Sequence, residues 1–421
     1  MRWLRAALVT LAVVIAALYA LVFWPMRDPH PTVRRGTGTL AIRGARIYTS
    51  PEAPAIAMGT VLVRDGVIAA VGADVAVPDG GRTIECERCI VTAGFWNAHV
   101  HFTERKWAGA PWAGAATLDA QLADMLTSRG FTTVVDVGSD PRVTLSLRRR
   151  IASGDLAGPT IYTAGPALYP PHGIPYYLRN SLPRYILWFM PTPATPAAAA
   201  RVAERNFRTG TDVLKLFTGS YVERGHVLPM PDSIAAAAVA VAHRHHQLVF
   251  AHPSDLAGTN VAIESGVDVL AHAPDTPNGI DSALLQRVVD RHMAMIPTLK
   301  MFGTTVTTDS GYLRPIYAEV ALFHTLGGQL LFGTDVGYMT DYRTDDEFRA
   351  LAASGLGWRD MLRMLTTAPA ERFGVADRVG TIAPGKDADL VVLDADPADS
   401  VPAFTRVRLT MHEGRVVYER P

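Results

Sequence analysis

The sequence predicts an α/β protein: a (β/α)8 barrel of the TIM type, a small composite β-sandwich built by both chain ends, and an amino-terminal transmembrane helix. Three observations carry this expectation. From about residue 94 to 376, short β-branched apolar runs alternate with longer Ala- and Leu-rich stretches of helical period, the pattern of repeated βα units on a parallel sheet. Short alternating runs broken by Gly and Asp-Gly lie on either side of that region and read as antiparallel strands. Residues 6–24, AALVTLAVVIAALYALVFW, carry no charge.

Taken in order, residues 1–36 read as a membrane anchor and linker. A helix over 6–24 is about 28 Å long, close to the ~30 Å hydrocarbon thickness of a bilayer. The alternative is a cleaved signal peptide and a secreted body, but the run is long for such a segment and ends in Phe23, Trp24 and Pro25 rather than at small residues. Arg2 and Arg5 argue for a cytoplasmic amino end, which Arg27, Arg34 and Arg35 on the far side weaken. The catalytic body is then expected in the periplasm or outside the cell. Residues 37–93 form the first part of the sandwich and 377–421 the second, the latter from "GTIAPGKDADLVVLDADP" and "VRLTMHEGRVVYE". The two cysteines, Cys86 and Cys89 in "CERC", lack a second pair and a strand-to-helix setting for redox chemistry; a disulfide across a tight turn and two free thiols both remain open.

Between them, residues 94–376 supply eight strand-like runs: "GFWNAHVHF", "FTTVVDVG", "TIYTAG", "DVLKLF", "QLVFAHP", "DVLAHAP", "AMIPTL" and "QLLFGTD". In such a barrel the active site lies at the carboxyl ends of the strands. Inserts at Pro166–Pro196 and after Lys215 emerge on that face and can form a lid or a substrate wall. The chain has 421 residues, with 40 Lys plus Arg balancing 40 Asp plus Glu, so nothing points to nucleic acid or another strongly charged partner. A small-molecule substrate is expected, and self-association is left open.

The expected strand ends share one chemistry. His99 and His101 end the first strand, Lys215 lies in the fourth, His252 and His272 end the fifth and sixth, and Asp335 ends the eighth. Residues i and i+2 of a strand face the same way, so His99 and His101 can both look into the mouth. Imidazole and carboxylate suit zinc and similar divalent ions. Lys215 alternates onto the inner face, where desolvation favours the neutral amine. A neutral amine can add carbon dioxide and become a carbamate, an anionic ligand able to bridge two metals.

"AGFWNAHVHF", "DVLKLFTG", "FAHP", "LAHAP", "FGTDVG" and the tail "TTAPAERFGVADRVGTIAPGKDADLVVLDADP" together resemble the metal-dependent amidohydrolase superfamily, and within it the imidazolonepropionase and prolidase-like branch. The resemblance runs from about residue 38 to the end. It implies a binuclear centre of two divalent ions, with zinc expected: His99, His101 and Asp335 on one, His252 and His272 on the other, and carbamylated Lys215 shared. Such a centre hydrolyses an amide or cyclic amide through a metal-bridging hydroxide, with Asp335 as general base. A prolidase-like dipeptidase or carboxypeptidase, a lactone or ester hydrolase, and a catalytically silent binding subunit are the alternatives.

His172, in "PPHGIPYY", resembles a histidine that polarises the substrate carbonyl in prolidase-like relatives; an exposed loop residue is the other reading. Tyr221 and His226 are candidates for substrate contact, including a substrate carboxylate, as are Arg179 and Arg184 in the long insert. His243, His245 and His246 in "HRHHQ" are expected on the opposite face, at a helix carboxyl terminus. Relatives commonly carry Asp where this chain has Asn97 and Pro where it has Ala93; Asn97 can orient a ligand by hydrogen bonding but adds no negative charge.

Overall fold

The computed structural model describes residues 3, 9–17, 30–275, 279–306 and 309–421. Its centre is the expected barrel, with strands β1 (Phe95–Val100), β2 (Phe131–Asp136), β3 (Thr160–Thr163), β4 (Val213–Phe217), β5 (Leu248–His252), β6 (Val269–Leu270), β7 (Ala294–Met295) and β8 (Gln329–Leu330). Parallel ladders join β1 to β2 and β2 to β3, and run from β4 through β5, β6 and β7 to β8. The β3–β4 seam includes a bond from Asp212 N to Thr163 O at 2.8 Å, and the β8–β1 seam one from Ala98 N to Phe332 O at 2.7 Å. Ala98, Val135, Val213, Phe250, Val269, Ala294, Ile296 and Leu331 fill the lumen, while a larger apolar shell packs between the strands and the outer helices. Apart from Phe250 these lumen side chains are branched or small, which lets strands from all round the barrel interdigitate.

Both chain ends meet in one eight-stranded sheet. Ile90–Ala93 lies centrally, antiparallel to Leu390–Leu393 and parallel to Thr39–Ile47, with Ile56–Arg64, Val67–Gly72 and Arg82–Glu85 on one side and Val407–His412 and Arg415–Glu419 on the other. Ile42, Val61, Val63, Val91, Leu390, Val392 and Leu409 give this sheet a core of its own. Cys86 and Cys89 are disulfide-bonded.

The expected membrane-spanning helix is overturned. Among the described residues no helix is long and apolar enough to cross a membrane. Within 6–24 the described residues are 9–17, and they are helical. Positions 6–8 and 18–24 lie outside the described residues. The membrane anchoring, and the periplasmic or extracellular placement that rested on it, fall with that helix.

The glycines of "FGTDVG" show how tightly the eighth strand's extension grips the first. A Cβ on Gly337 would sit 1.8 Å from the His101 carbonyl oxygen, at φ 95°, and one on Gly333 would meet Ile296 and His99. Gly337→Ala is therefore expected to lower stability by at least about 2 kcal/mol, since both the overlap and the left-handed backbone penalise a side chain. A urea midpoint equal to that of the parent chain would contradict it.

Candidate metal centre

The chain beyond β8 returns along β1, and this sets the first cluster. Asp335 N donates to His99 O at 2.9 Å and His101 N to Val336 O at 2.7 Å. Asp335 takes a left-handed turn, φ 57°, which brings its side chain back over the strand end. His99 Nε2 and His101 Nε2 lie 3.2 and 2.9 Å from Asp335 Oδ1. One ligand atom from each of the three residues falls within 4.8 Å of the others. Asp335 Oδ1, which both Nε2 atoms face, is buried without a hydrogen-bond partner. Orphaned buried acceptors are costly, so the donor set fits a cation between them.

The second cluster comes from neighbouring strands. On the β4–β5 ladder Lys215 stands opposite Phe250 and Phe217 opposite His252. The Phe217 ring stacks on His252 at 4.7 Å and 19°, and the His252 and His272 rings lie 4.5 Å apart. His272 is also 4.5 Å from His99, ring to ring, so the two clusters share one mouth. His272 Nδ1 is 2.7 Å from Thr298 Oγ1, and that hydroxyl donates its single proton to Pro297 O at 2.8 Å. Thr298 must therefore accept from Nδ1–H, which leaves the Nε2 lone pair of His272 available to a metal.

The electrostatics agree. Burial draws the Lys215 ammonium down to about 7, and it draws His99 down to about 4. Burial and nearby positive charge hold His252 and His272 well below the ordinary imidazole range. For Asp335 burial acts upward, but His99 and His101 outweigh it and hold the carboxyl well below the usual carboxylate range. The site thus favours neutral nitrogens and an anionic oxygen, the protonation states that bind divalent ions.

Asn97 acts on the strand, not on a ligand ring. Its Nδ2 donates to Thr334 Oγ1 at 2.7 Å and its Oδ1 accepts from His99 N at 3.2 Å, where the β1–β2 register breaks between Asn97 and Val100. The amide clips the His99 backbone to the residue before Asp335. Asn97→Ala should cost about 1–3 kcal/mol by leaving buried groups unpaired; thermal unfolding measures it, and an unchanged midpoint would dismiss the clip.

The six expected ligands line one cavity of about 790 Å³, together with Tyr169, Tyr176, Tyr177, Tyr221, Asp275, Tyr312 and Tyr338. Of the five other candidates in the inserts, Tyr221 lines the cavity, whereas His172, His226, Arg179 and Arg184 are exposed and do not. His172 sits at φ 59° in its loop, and Arg179 instead donates to Val222 O across the two inserts. His243 and His245 pair with Asp268 and Glu204, both at 3.1 Å, near the end of helix Asp232–Arg244. Thr298, Thr334 and Asp275 went unrecognised in the sequence; their only signal was a place just past a barrel strand.

The family profile described as Amidohydrolase family matches residues 90–417. An imidazolonepropionase of Thermoplasma acidophilum is 41% identical over 64 residues, 14% of this chain and 16% of the relative. That of Thermoplasma volcanium is 22% identical over 157 residues, 34% of this chain and 37% of the relative. The chain thus aligns with well under half of each of these relatives. Among solved structures, a Xaa-Pro dipeptidase with bound methionine in the active site superposes with a TM-score of 0.77 at 21% identity, covering 91% of this chain and all of that one. A putative prolidase from Bifidobacterium longum gives 0.73 at 24% identity, covering 91% and 95%. At these identities the likeness speaks for the fold.

Proposed function

Since the chain belongs to the amidohydrolase family, we propose that it is a metal-dependent hydrolase of a carbon–nitrogen bond, amide or cyclic amide, in a small molecule. The observation that carries this reading is the meeting of His99, His101, Lys215, His252, His272 and Asp335 at one cavity. His99, His101 and Asp335 would hold one divalent ion and His252 and His272 the other. Lys215, after its amine adds carbon dioxide and releases a proton, would offer one carbamate oxygen to each. Zinc suits this nitrogen and oxygen donor set. When bound, the ions would polarise the substrate carbonyl and make water acidic enough to attack at neutral pH.

The chain's own groups do the rest. Asp335 is ionised and faces both histidines, so its carboxylate can take a proton from the attacking water. It then returns that proton to the leaving nitrogen as the carbon–nitrogen bond breaks. Thr298 holds the His272 tautomer and Phe217 the plane of His252. The tyrosines and Phe302 on the wall limit the water that reaches the site. The exposed positions of His172 and His226 leave them outside this scheme.

Elemental analysis of chain expressed with ample metal should find close to two divalent ions per molecule. Chelation should abolish amide hydrolysis, and added zinc should restore it. Metal-free protein that hydrolyses amides would refute the proposal.

A further inference from the structure

One end of the cavity carries charge that the hydrolytic scheme leaves unused. Asp275, three residues past His272, accepts hydrogen bonds from the Tyr221 hydroxyl on Oδ1 at 2.8 Å and from the Tyr312 hydroxyl on Oδ2 at 3.4 Å. All three residues line the same cavity as His272. Burial comes first among the influences on this carboxyl and lifts it to about 6, with the two phenols, a backbone amide and Asp255 acting besides. Behind it, Glu319 lies seven residues after Tyr312 on helix Ser310–Thr325, and so on the same face. Glu319 is buried with neither carboxyl oxygen hydrogen-bonded, and burial together with the Asp275 charge pushes it well above the ordinary range. Asp275 is thus a half-buried carboxyl on the wall with buried Glu319 behind it, and drawing carboxylates out of water without an opposite charge is costly.

We propose that this end of the cavity is a subsite for an organic cation, the protonated amine or guanidinium of a substrate, held by Asp275 between the rings of Tyr221 and Tyr312. A positive charge there meets a carboxylate whose position two phenols fix, in an aromatic surround that stabilises cations through the ring faces. On this reading Tyr221 positions Asp275 through its hydroxyl rather than meeting a substrate carboxylate, which would face a like charge. The tether sets a ruler. Three residues separate His272 from Asp275, at most about 11 Å between Cα atoms, so the cation lies one short aliphatic chain from the bond to be cut. As a substrate subsite, this rests on the hydrolase reading above.

The test uses three N-acetyl amides that share a five-methylene chain: N-acetylcadaverine, N-acetylhexylamine and 6-acetamidohexanoate, ending in ammonium, methyl and carboxylate. Calorimetric titration of the metal-loaded full chain at pH 7.5 should find the ammonium compound at least about tenfold tighter than the neutral one, a gain within reach of one desolvated charge pair. Asp275→Asn should shrink that preference to within about twofold while metal content stays unchanged. Equal binding of the ammonium and methyl compounds by the parent chain overturns the proposal. So does preference for the carboxylate, which would point instead to Arg224 on the same lining, and so does an Asp275→Asn chain that keeps the preference. The parent-chain comparison decides even if the variant fails to fold. Should none of the three be hydrolysed with two metals bound, the amide reading suffers, and the order of binding still judges the subsite.

Discussion

Lys215→Ala is expected to lower hydrolysis more than 100-fold and to bring metal content well below two per chain. Altering a residue that merely supports a ligand costs about 10–100-fold, and Lys215 is proposed as a ligand shared by both ions. The side chain is buried and its ammonium is drawn down to about 7 by that burial. The sign of the pH dependence follows. Below about 7 the protonated form dominates and cannot add carbon dioxide; above it the free amine prevails. Reconstitution of apo chain with zinc and bicarbonate should therefore rise between pH 6 and 8 and should depend on the bicarbonate. Rescue of the alanine variant by a short carboxylic acid, which can occupy the vacated space and offer two oxygens, would strengthen the assignment. Full turnover in Lys215→Ala would end it.

Asp335→Asn should cost about 10²–10⁴-fold in kcat, the usual worth of a positioned proton-transfer group, with a further loss wherever the ion it helps hold is displaced. The amide is nearly isosteric, so the turn at φ 57° and the Asp335 N bond to His99 O should persist. What disappears is the negative charge that faces two imidazoles at 2.9 and 3.2 Å. The split between the two effects is measurable: metal content reports the ligand, and kcat at full metal occupancy reports the base. A variant with two metals and undiminished kcat would assign proton transfer to another group.

The barrel was legible because its signal is local. A strand such as "FTTVVD" is mostly β-branched whatever surrounds it, and "GTDVG" requires glycine where another strand's carbonyl passes within contact. The candidate ligands were legible for the same reason: strand alternation fixes a side chain's direction within one or two residues of the backbone that carries it. The inserts carry no such rule. His172 and His226 looked equivalent to Tyr221 as loop residues, yet the turns around them leave both exposed while Tyr221 reaches Asp275. The apolar run at 6–24 was read from hydropathy alone, and among the described residues no helix is long and apolar enough to cross a membrane.

Residue order alone thus specified eight strands, their sequence round the barrel, and which histidines, lysine and aspartate end up at one mouth, because periodicity and β-branching act over neighbouring residues. Partnership across the chain could not be read that way. Asn97 finds Thr334 at a separation of 237 residues, Tyr221 finds Asp275 at 54, and His272 finds Thr298 at 26. Each is a directional hydrogen bond that exists only once barrel closure has brought the two groups within about 3 Å. The metal-binding character therefore lay in the local pattern, while the tuning of its ligands and the charge the pocket selects arose from packing.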